Sequence, residues 1–186
     1  EARREEFGLA GRPLVLAGDS AGALLAVQAA AALTTPGYAA LAGIEVPSGV
    51  PAVAGLILYC GPYQASARAD GPFGAFMARV TSAHLGERWR PGEPLPPALD
   101  MPQHVTARFP PAFISCGNGD PLLPQTVALR DALRRSQVRV SELLHPPQLA
   151  PPLGHEYQFD FDRAEAREAF AASLRFLAEL SAPAPR

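Results

Sequence analysis

Three residue types that together carry out nucleophilic catalysis occur in the chain, as Ser20, Asp120 and His155. A serine hydroxyl becomes an effective nucleophile when a histidine accepts its proton. A carboxylate then fixes the tautomer of that histidine and stabilises the imidazolium. Each of the three residues follows a short apolar segment that is typical of a buried strand. If the fold brings them together, they predict acyl-transfer chemistry on a serine.

Ser20 is the centre of a G-D-S-A-G sequence that lies between a predicted strand and a predicted helix. The strand, Pro13–Ala17, is apolar and unbroken, as in a strand buried on both faces. The helix, Ala23–Leu33, is rich in Ala and Leu and ends before Pro36. This context is the one that a nucleophile elbow requires, because its tight turn lifts the serine hydroxyl out at the sheet edge.

The turn also predicts roles for the neighbours of Ser20. Space around the serine is so small that we expect only small residues two positions before and after it, and Gly18 and Gly22 stand there. Asp19 completes the elbow, and the N–H of Ala21, at a helix N-terminus, is expected to point toward a developing oxyanion. A glycine-rich turn in an ordinary α/β domain is the alternative interpretation of this motif alone.

Asp120 and His155 follow Ser20 in the order in which the acid and the base occur in α/β-hydrolases, at the ends of later strands. Asp120 has an alternative role as a cap of the next helix. His145 is an alternative base, although it directly abuts a predicted strand with no loop to carry it over the elbow. The other two histidines, His84 and His104, lie in a long segment between strands.

Four apolar segments alternate with helices and predict an α/β fold with a mostly parallel sheet, built as one domain over residues 1–186. The other three strands are expected at 54–60, 111–116 and 138–144, and helices at 124–136 and 163–180. In the last helix, Phe170, Leu174 and Leu177 form the predicted apolar stripe. Residues 61–110 are too long for a simple crossover and are apolar, which favours a partly helical lid over a disordered loop.

The composition of the chain limits the classes of binding partner that we expect. Net charge is −2 and hydrophobic residues make up 48% of the chain, so we expect neither nucleic acid nor stable membrane association, and leave homo-oligomerisation open. No signal peptide is visible, which favours a cytoplasmic location. Cys60 and Cys116 are therefore expected to be buried free thiols. The spacing of Cys and His gives no metal-ligand pattern, so no metal and no cofactor are expected.

The sequence resembles the bacterial hormone-sensitive lipase family of α/β-hydrolases from the elbow strand to the final helix. The resemblance implies a carboxylic-ester hydrolase for small-molecule substrates with short acyl chains, in which Ser20 is the nucleophile, His155 the base and Asp120 the orienting acid. The motifs that carry it are Gly18-Asp19-Ser20-Ala21-Gly22, Gly119-Asp120-Pro121-Leu122 and Gly154-His155.

Departures from the family pattern qualify this expectation. The family usually has Gly where this chain has Ala23 and Glu156, and Glu156 puts a carboxylate near the base. The family's His-Gly-Gly-Gly loop, which supplies further oxyanion donors, and its first strands are not in this sequence. The chain is thus expected to be the C-terminal part of a longer enzyme and inactive alone. A small-molecule receptor without catalysis and a serine peptidase of the same fold remain as alternatives.

Overall fold

A four-stranded parallel sheet forms the centre of the computed structural model, which describes residues 3–9, 11–64, 71–85, 93 and 96–181. Neighbouring strands are parallel, in the spatial order β1-β2-β3-β4. This confirms the predicted α/β architecture. The strands are β1 (Leu14–Asp19), β2 (Val53–Tyr59), β3 (Ala112–Cys116) and β4 (Val140–Leu144).

Helices connect these strands, and three short 3-10 turns lie in the described parts of the loops. None of the helices in the described part of the chain is long and apolar enough to cross a membrane. The helices are α1 (Ser20–Thr34), α2 (Tyr38–Ala42), α3 (Gly71–Leu85), α4 (Leu123–Arg135) and α5 (Ala164–Ser181), and the 3-10 turns are Pro97–Leu99, Met101–His104 and Tyr157–Phe159.

The side chains of β2 alternate between two apolar layers, as they must in a strand covered on both faces. Leu56 and Leu58 face the larger layer, which α1 and α4 close. Ile57 faces the other layer, where it packs with Phe113 and with Phe176 of α5. The sheet therefore lies between helices, and its carboxyl edge stays free to carry polar side chains.

β1 differs from the prediction that it is buried on both faces. It is an edge strand of the described sheet, its residues are half-buried, and Ala17 is exposed. β2 lies on one side of it and no described strand lies on the other. The apolar sequence correctly predicted a strand, but it could not predict which strands would flank it.

The predicted apolar stripe of α5 is wrong for two of its three members. Phe170 and Leu174 are each 48% exposed, and only Leu177 packs against the layer around Phe176. The buried residues of this helix are Ala166, Ala169, Ser173 and Phe176. Small residues face inward because they allow the helix to approach the sheet closely. Phe170 instead makes an edge-to-face contact with Phe161 on the outside.

Residues 61–110 contain α3 and two 3-10 turns among their described parts. Phe76 of α3 is 59% exposed, whereas Leu99 and Met101 are buried. Trp89 lies outside the described residues. The interpretation of this segment as a lid stays a prediction.

Candidate active site

Polar and thiol side chains meet at the carboxyl edge of the sheet because all four strands run in the same direction. Ser20 directly follows β1, Cys60 directly follows β2, and Asp120 follows β3 after a three-residue tip. His155 follows β4 after a longer loop. Ligand and catalytic groups of open parallel sheets collect at this edge.

Ser20 occupies the sharp turn between β1 and α1. Asp19 is extended, with φ −119° and ψ 150°, and Ser20 has a positive φ of 48°, a left-handed conformation that is strained for a residue with a side chain. The next residue, Ala21, is the second of α1, so its N–H is among the first four that lack an intrahelical acceptor. This N–H group is therefore free to bind an anionic oxygen beside Ser20.

The two glycines of the elbow are not equivalent. A Cβ atom on Gly18 would collide with the backbone carbonyl group of Gly22 and would lie 2.6 Å from the backbone nitrogen of Ala23. A Cβ atom on Gly22 would meet only a carboxylate oxygen of Asp19, at 4.0 Å. The expectation that both positions lack room is thus right for Gly18 and wrong for Gly22, because only the former points into the turn.

The structure brings the three sequence-predicted side chains into one hydrogen-bonded series. His155 Nε2 lies 3.0 Å from Ser20 Oγ, and His155 Nδ1 lies 2.8 Å from Asp120 Oδ2. The Asp120 carboxylate is fully buried, whereas the His155 side chain is 32% exposed. In this geometry the carboxylate accepts a hydrogen bond from Nδ1–H, which leaves the lone pair of Nε2 free to accept the proton of the serine.

Asp120 uses its two carboxylate oxygens for different purposes. Oδ2 faces His155, and Oδ1 accepts a hydrogen bond of 2.8 Å from the backbone N–H of Leu122. The second bond fixes the turn that precedes α4, although Asp120 is not the N-cap of that helix. The alternative that Asp120 caps this helix is therefore wrong, although one of its carboxylate oxygens stabilises the turn before the helix.

The loop that carries His155 is fastened to the tip after β3, a contact that sequence reasoning did not predict. The Asn118 side chain donates to the carbonyl groups of Pro146 and Leu149 and accepts the N–H of Leu153. Gly119 N–H donates to the Leu153 carbonyl group over 2.9 Å. Turn-forming residues predicted the tip, but they did not predict that the later loop packs on it. This packing is possible because glycine at 117 leaves room for the Leu153 carbonyl group.

His145 is not in contact with Ser20 but belongs to a second, buried polar series. Its Nε2 lies 3.2 Å from the Tyr157 hydroxyl, which in turn lies 2.9 Å from Ser115 Oγ. Gln158 Nε2 donates to Ser115 Oγ at 3.4 Å. This series ties β3 and the end of β4 to the 3-10 turn that immediately follows His155. Tyr157 and Gln158 therefore hold the base in place from its other side.

Cys60 is fully buried, and its sulfur lies within 4.8 Å of a ring nitrogen of His155. Burial raises the pKa of its thiol to about 12, and the charge of Asp120 acts in the same direction. The backbone N–H groups of Glu156 and Ser20 act in the opposite direction, since they stabilise the thiolate. The thiol is therefore neutral at physiological pH and does not compete with Ser20 as a nucleophile. Cys116 is also buried and free, as predicted.

Glu156 lies at the exposed side of the site. Its φ is 60°, a left-handed conformation that glycine adopts more readily, and its Oε1 lies 3.7 Å from His155 Nε2. The side chain is 44% exposed. The expected carboxylate beside the base is thus present.

A sheet with helices on both faces and a serine elbow at its carboxyl edge defines an α/β-hydrolase. A family model described as alpha/beta hydrolase fold matches residues 1–148. The chain therefore belongs to this family, and the resemblance indicated by its motifs is confirmed. A comparison with curated proteins found no match.

Solved structures of bacterial esterases share the fold. Esterase B from Lactobacillus rhamnosis superposes with a TM-score of 0.73 at 23% identity, over 96% of this chain and 57% of that one. Esterase LipW from Mycobacterium marinum gives 0.71 at 21%, over 98% and 54%. Carboxylesterase Cest-2923 from Lactobacillus plantarum gives 0.68 at 14%, over 98% and 64%. The chain thus spans between 54% and 64% of the length of these structures.

Gly18→Ala and Gly22→Ala form a matched pair that tests the asymmetry of the elbow. We expect Gly18→Ala to lower the free energy of unfolding by at least about 1–3 kcal/mol, because its methyl group meets backbone that cannot rotate away. Gly22→Ala should be neutral or stabilising by roughly 0.5–1 kcal/mol, since it removes a helical glycine from open space. Urea unfolding of both variants measures this. Equal destabilisation would contradict the steric argument.

Tyr157→Phe tests the second polar series through its pH dependence. Burial raises the pKa of Tyr157 to about 12, so the folded chain keeps a phenol proton that the unfolded chain loses near the usual value of 10.0. The resulting stability is complete below pH 10 and is lost as pH rises through 12. The free energy of unfolding should therefore fall less steeply with pH in the variant across that range.

At neutral pH, Tyr157→Phe should lower the same free energy by about 1–3 kcal/mol, since the buried Ser115 hydroxyl keeps only its longer hydrogen bond, from Gln158. Urea unfolding at several pH values measures both effects. An unchanged alkaline slope would show that the phenol is not held in this buried position.

Proposed function

We propose that the protein is a serine carboxylesterase that hydrolyses short-chain acyl esters of small molecules. The observation that carries the proposal is the continuous series from Ser20 Oγ through His155 to Asp120, with contacts of 3.0 and 2.8 Å. Membership of the α/β-hydrolase fold family supports it. Because this chain spans only 54% to 64% of the length of similar structures, the activity is proposed for the whole protein.

The reaction follows from the positions of these groups. Ser20 Oγ attacks the ester carbonyl carbon while its proton passes to His155 Nε2. The imidazolium then gives that proton to the alkoxide, so the carbon–oxygen bond breaks, the alcohol leaves and an acyl-Ser20 ester remains. Water attacks this ester, His155 again accepts a proton, and the carboxylic acid leaves as Ser20 Oγ recovers its hydrogen.

Two groups assist the charged states of this reaction. The carboxylate of Asp120 accepts a hydrogen bond from Nδ1–H and stabilises the imidazolium. The attraction is strong because the two groups lie 2.8 Å apart and the carboxylate is buried. The Ala21 N–H at the start of α1 is the proposed donor to the carbonyl oxygen as it becomes anionic, and the helix dipole would add to its effect.

The ligands named in similar solved structures support the proposal of a short acyl chain. Esterase B was solved with a C4-C4 tributyrin phosphonate inhibitor, and esterase Est2 from Thermogutta terrifontis was solved with propionate and with butyrate. These names describe those proteins, which share 24% identity or less with this chain. Together with the motifs, they favour a short acyl group such as propionyl or butyryl.

The two alternatives differ from the proposal in ways that can be measured. A small-molecule receptor of this fold would bind without turnover, and the close contact of His155 with Ser20 argues against it. A serine peptidase would use the same three residues, so the ratio of ester to amide hydrolysis separates it from an esterase. We expect butyrate esters to be cleaved and the matching anilides to be inert.

A serine-directed fluorophosphonate should label the complete protein at Ser20 alone, because the elbow places this hydroxyl next to the imidazole of His155. Ser20→Ala should abolish labelling and Ser48→Ala, in an exposed loop, should leave it unchanged. Intact-mass and peptide mass spectrometry measure the modification. A label on Ser48 or Ser115 would overturn the assignment of the nucleophile.

His155→Ala and His145→Ala decide which histidine is the base. We expect His155→Ala to lower kcat for a p-nitrophenyl ester by about 10⁴–10⁶-fold, as when a triad histidine is removed. His145→Ala should keep most of the activity, because its ring contacts Tyr157 and not the serine. Steady-state kinetics at neutral pH gives both values. The reverse result would move the base to His145.

A further inference from the structure

A second set of ligand-type atoms overlaps the Ser20–His155–Asp120 series. The thiol sulfur of Cys60, a carboxylate oxygen of Asp120 and a ring nitrogen of His155 all lie within 4.8 Å of one another. Thiolate, carboxylate and imidazole are the three protein ligands that Zn²⁺ takes, and a small inward movement would bring them to a common centre. Cys60 has no part in ester hydrolysis, so its position requires a separate explanation.

We propose that Cys60, Asp120 and His155 form an inhibitory site for Zn²⁺. The binding of Zn²⁺ is proposed independently of any enzymatic activity, whereas the inhibitory effect rests on the proposed esterase function. On binding, the cation replaces the proton of the Cys60 thiol, which is released to solvent, and coordinates one ring nitrogen of His155. It thereby occupies either the lone pair that accepts the Ser20 proton or the nitrogen that bonds to Asp120.

The Cys60 sulfur is buried, yet polar groups lie next to it. Its thiol donates a long hydrogen bond of 4.0 Å to Gln158 Oε1. The backbone N–H groups of Ser20 and Glu156 offset part of the effect by which burial raises the pKa of the thiol. These groups belong to the turn of the nucleophile and to the residue after the base.

Glu156 provides the entrance for a cation. Its carboxylate lies 3.7 Å from His155 Nε2 and is 44% exposed, while Asp120 and Cys60 are buried behind the imidazole. A cation that approaches His155 from solvent therefore meets the Glu156 carboxylate beside the imidazole. The soft thiolate selects Zn²⁺ over Mg²⁺ and Ca²⁺, which prefer oxygen ligands.

Binding is tested without turnover by titrating the protein with Co²⁺, a spectroscopic substitute for Zn²⁺. We expect a near-ultraviolet band from the bond between thiolate and metal, and its displacement by Zn²⁺. Cys60→Ser should abolish the band and weaken Zn²⁺ binding in calorimetry at least about tenfold. Cys116→Ser is the matched control, since it removes the other buried thiol, and it should retain both signals.

His155→Ala is a second test at an exposed residue, in case Cys60→Ser perturbs folding. It should weaken Zn²⁺ binding by a similar factor, and Glu156→Gln by a smaller one. Zn²⁺ should also block fluorophosphonate labelling of Ser20, a chelator should restore it, and Mg²⁺ should have no effect. A band that is absent from the native chain, or that survives Cys60→Ser, would overturn the proposal. Loss of binding in Cys116→Ser would do so as well.

Discussion

The close contact between two loops at the carboxyl edge is the constraint on which the site depends. His155 lies in a loop without regular secondary structure. The hydrogen bonds of Asn118 and the approach of the Leu153 carbonyl group to Gly117 help to fix its distance from Asp120. A side chain at 117 would push this carbonyl group away, and the imidazole with it. The acid and the base are therefore positioned by backbone packing first and by their own hydrogen bond second.

Much of this arrangement could be predicted because it follows local rules. Apolar segments bounded by turn residues predicted the four strands within about two residues, and the G-D-S-A-G sequence predicted the turn at Ser20. Once the strands are parallel, their carboxyl ends must share an edge, so Asp120 and His155 had to come near the serine. His155 was also favoured over His145, because His145 directly abuts a predicted strand and has no loop to carry it over the elbow.

The remainder depends on tertiary packing, which leaves no local signal. The inward face of α5 was mispredicted because alanines at 166 and 169 pack more closely than Phe170 and Leu174. Tyr157 looked like an ordinary aromatic residue, and its bonds to Ser115 and His145 join segments that are distant in sequence. Cys60 showed no ligand spacing because its neighbours Asp120 and His155 follow different strands.

The distance in sequence between nucleophile and base has a consequence for how the protein acquires its activity. Ser20 and His155 are 135 residues apart, so the chain must close a very long loop before the imidazole can touch the hydroxyl. Contacts of such separation form late and slowly in folding. The strained elbow can form early from local sequence, yet its serine stays chemically ordinary until β3, β4 and the tip after β3 are assembled. Reactivity is thus a property of the finished sheet, and a partly folded chain carries no activated nucleophile.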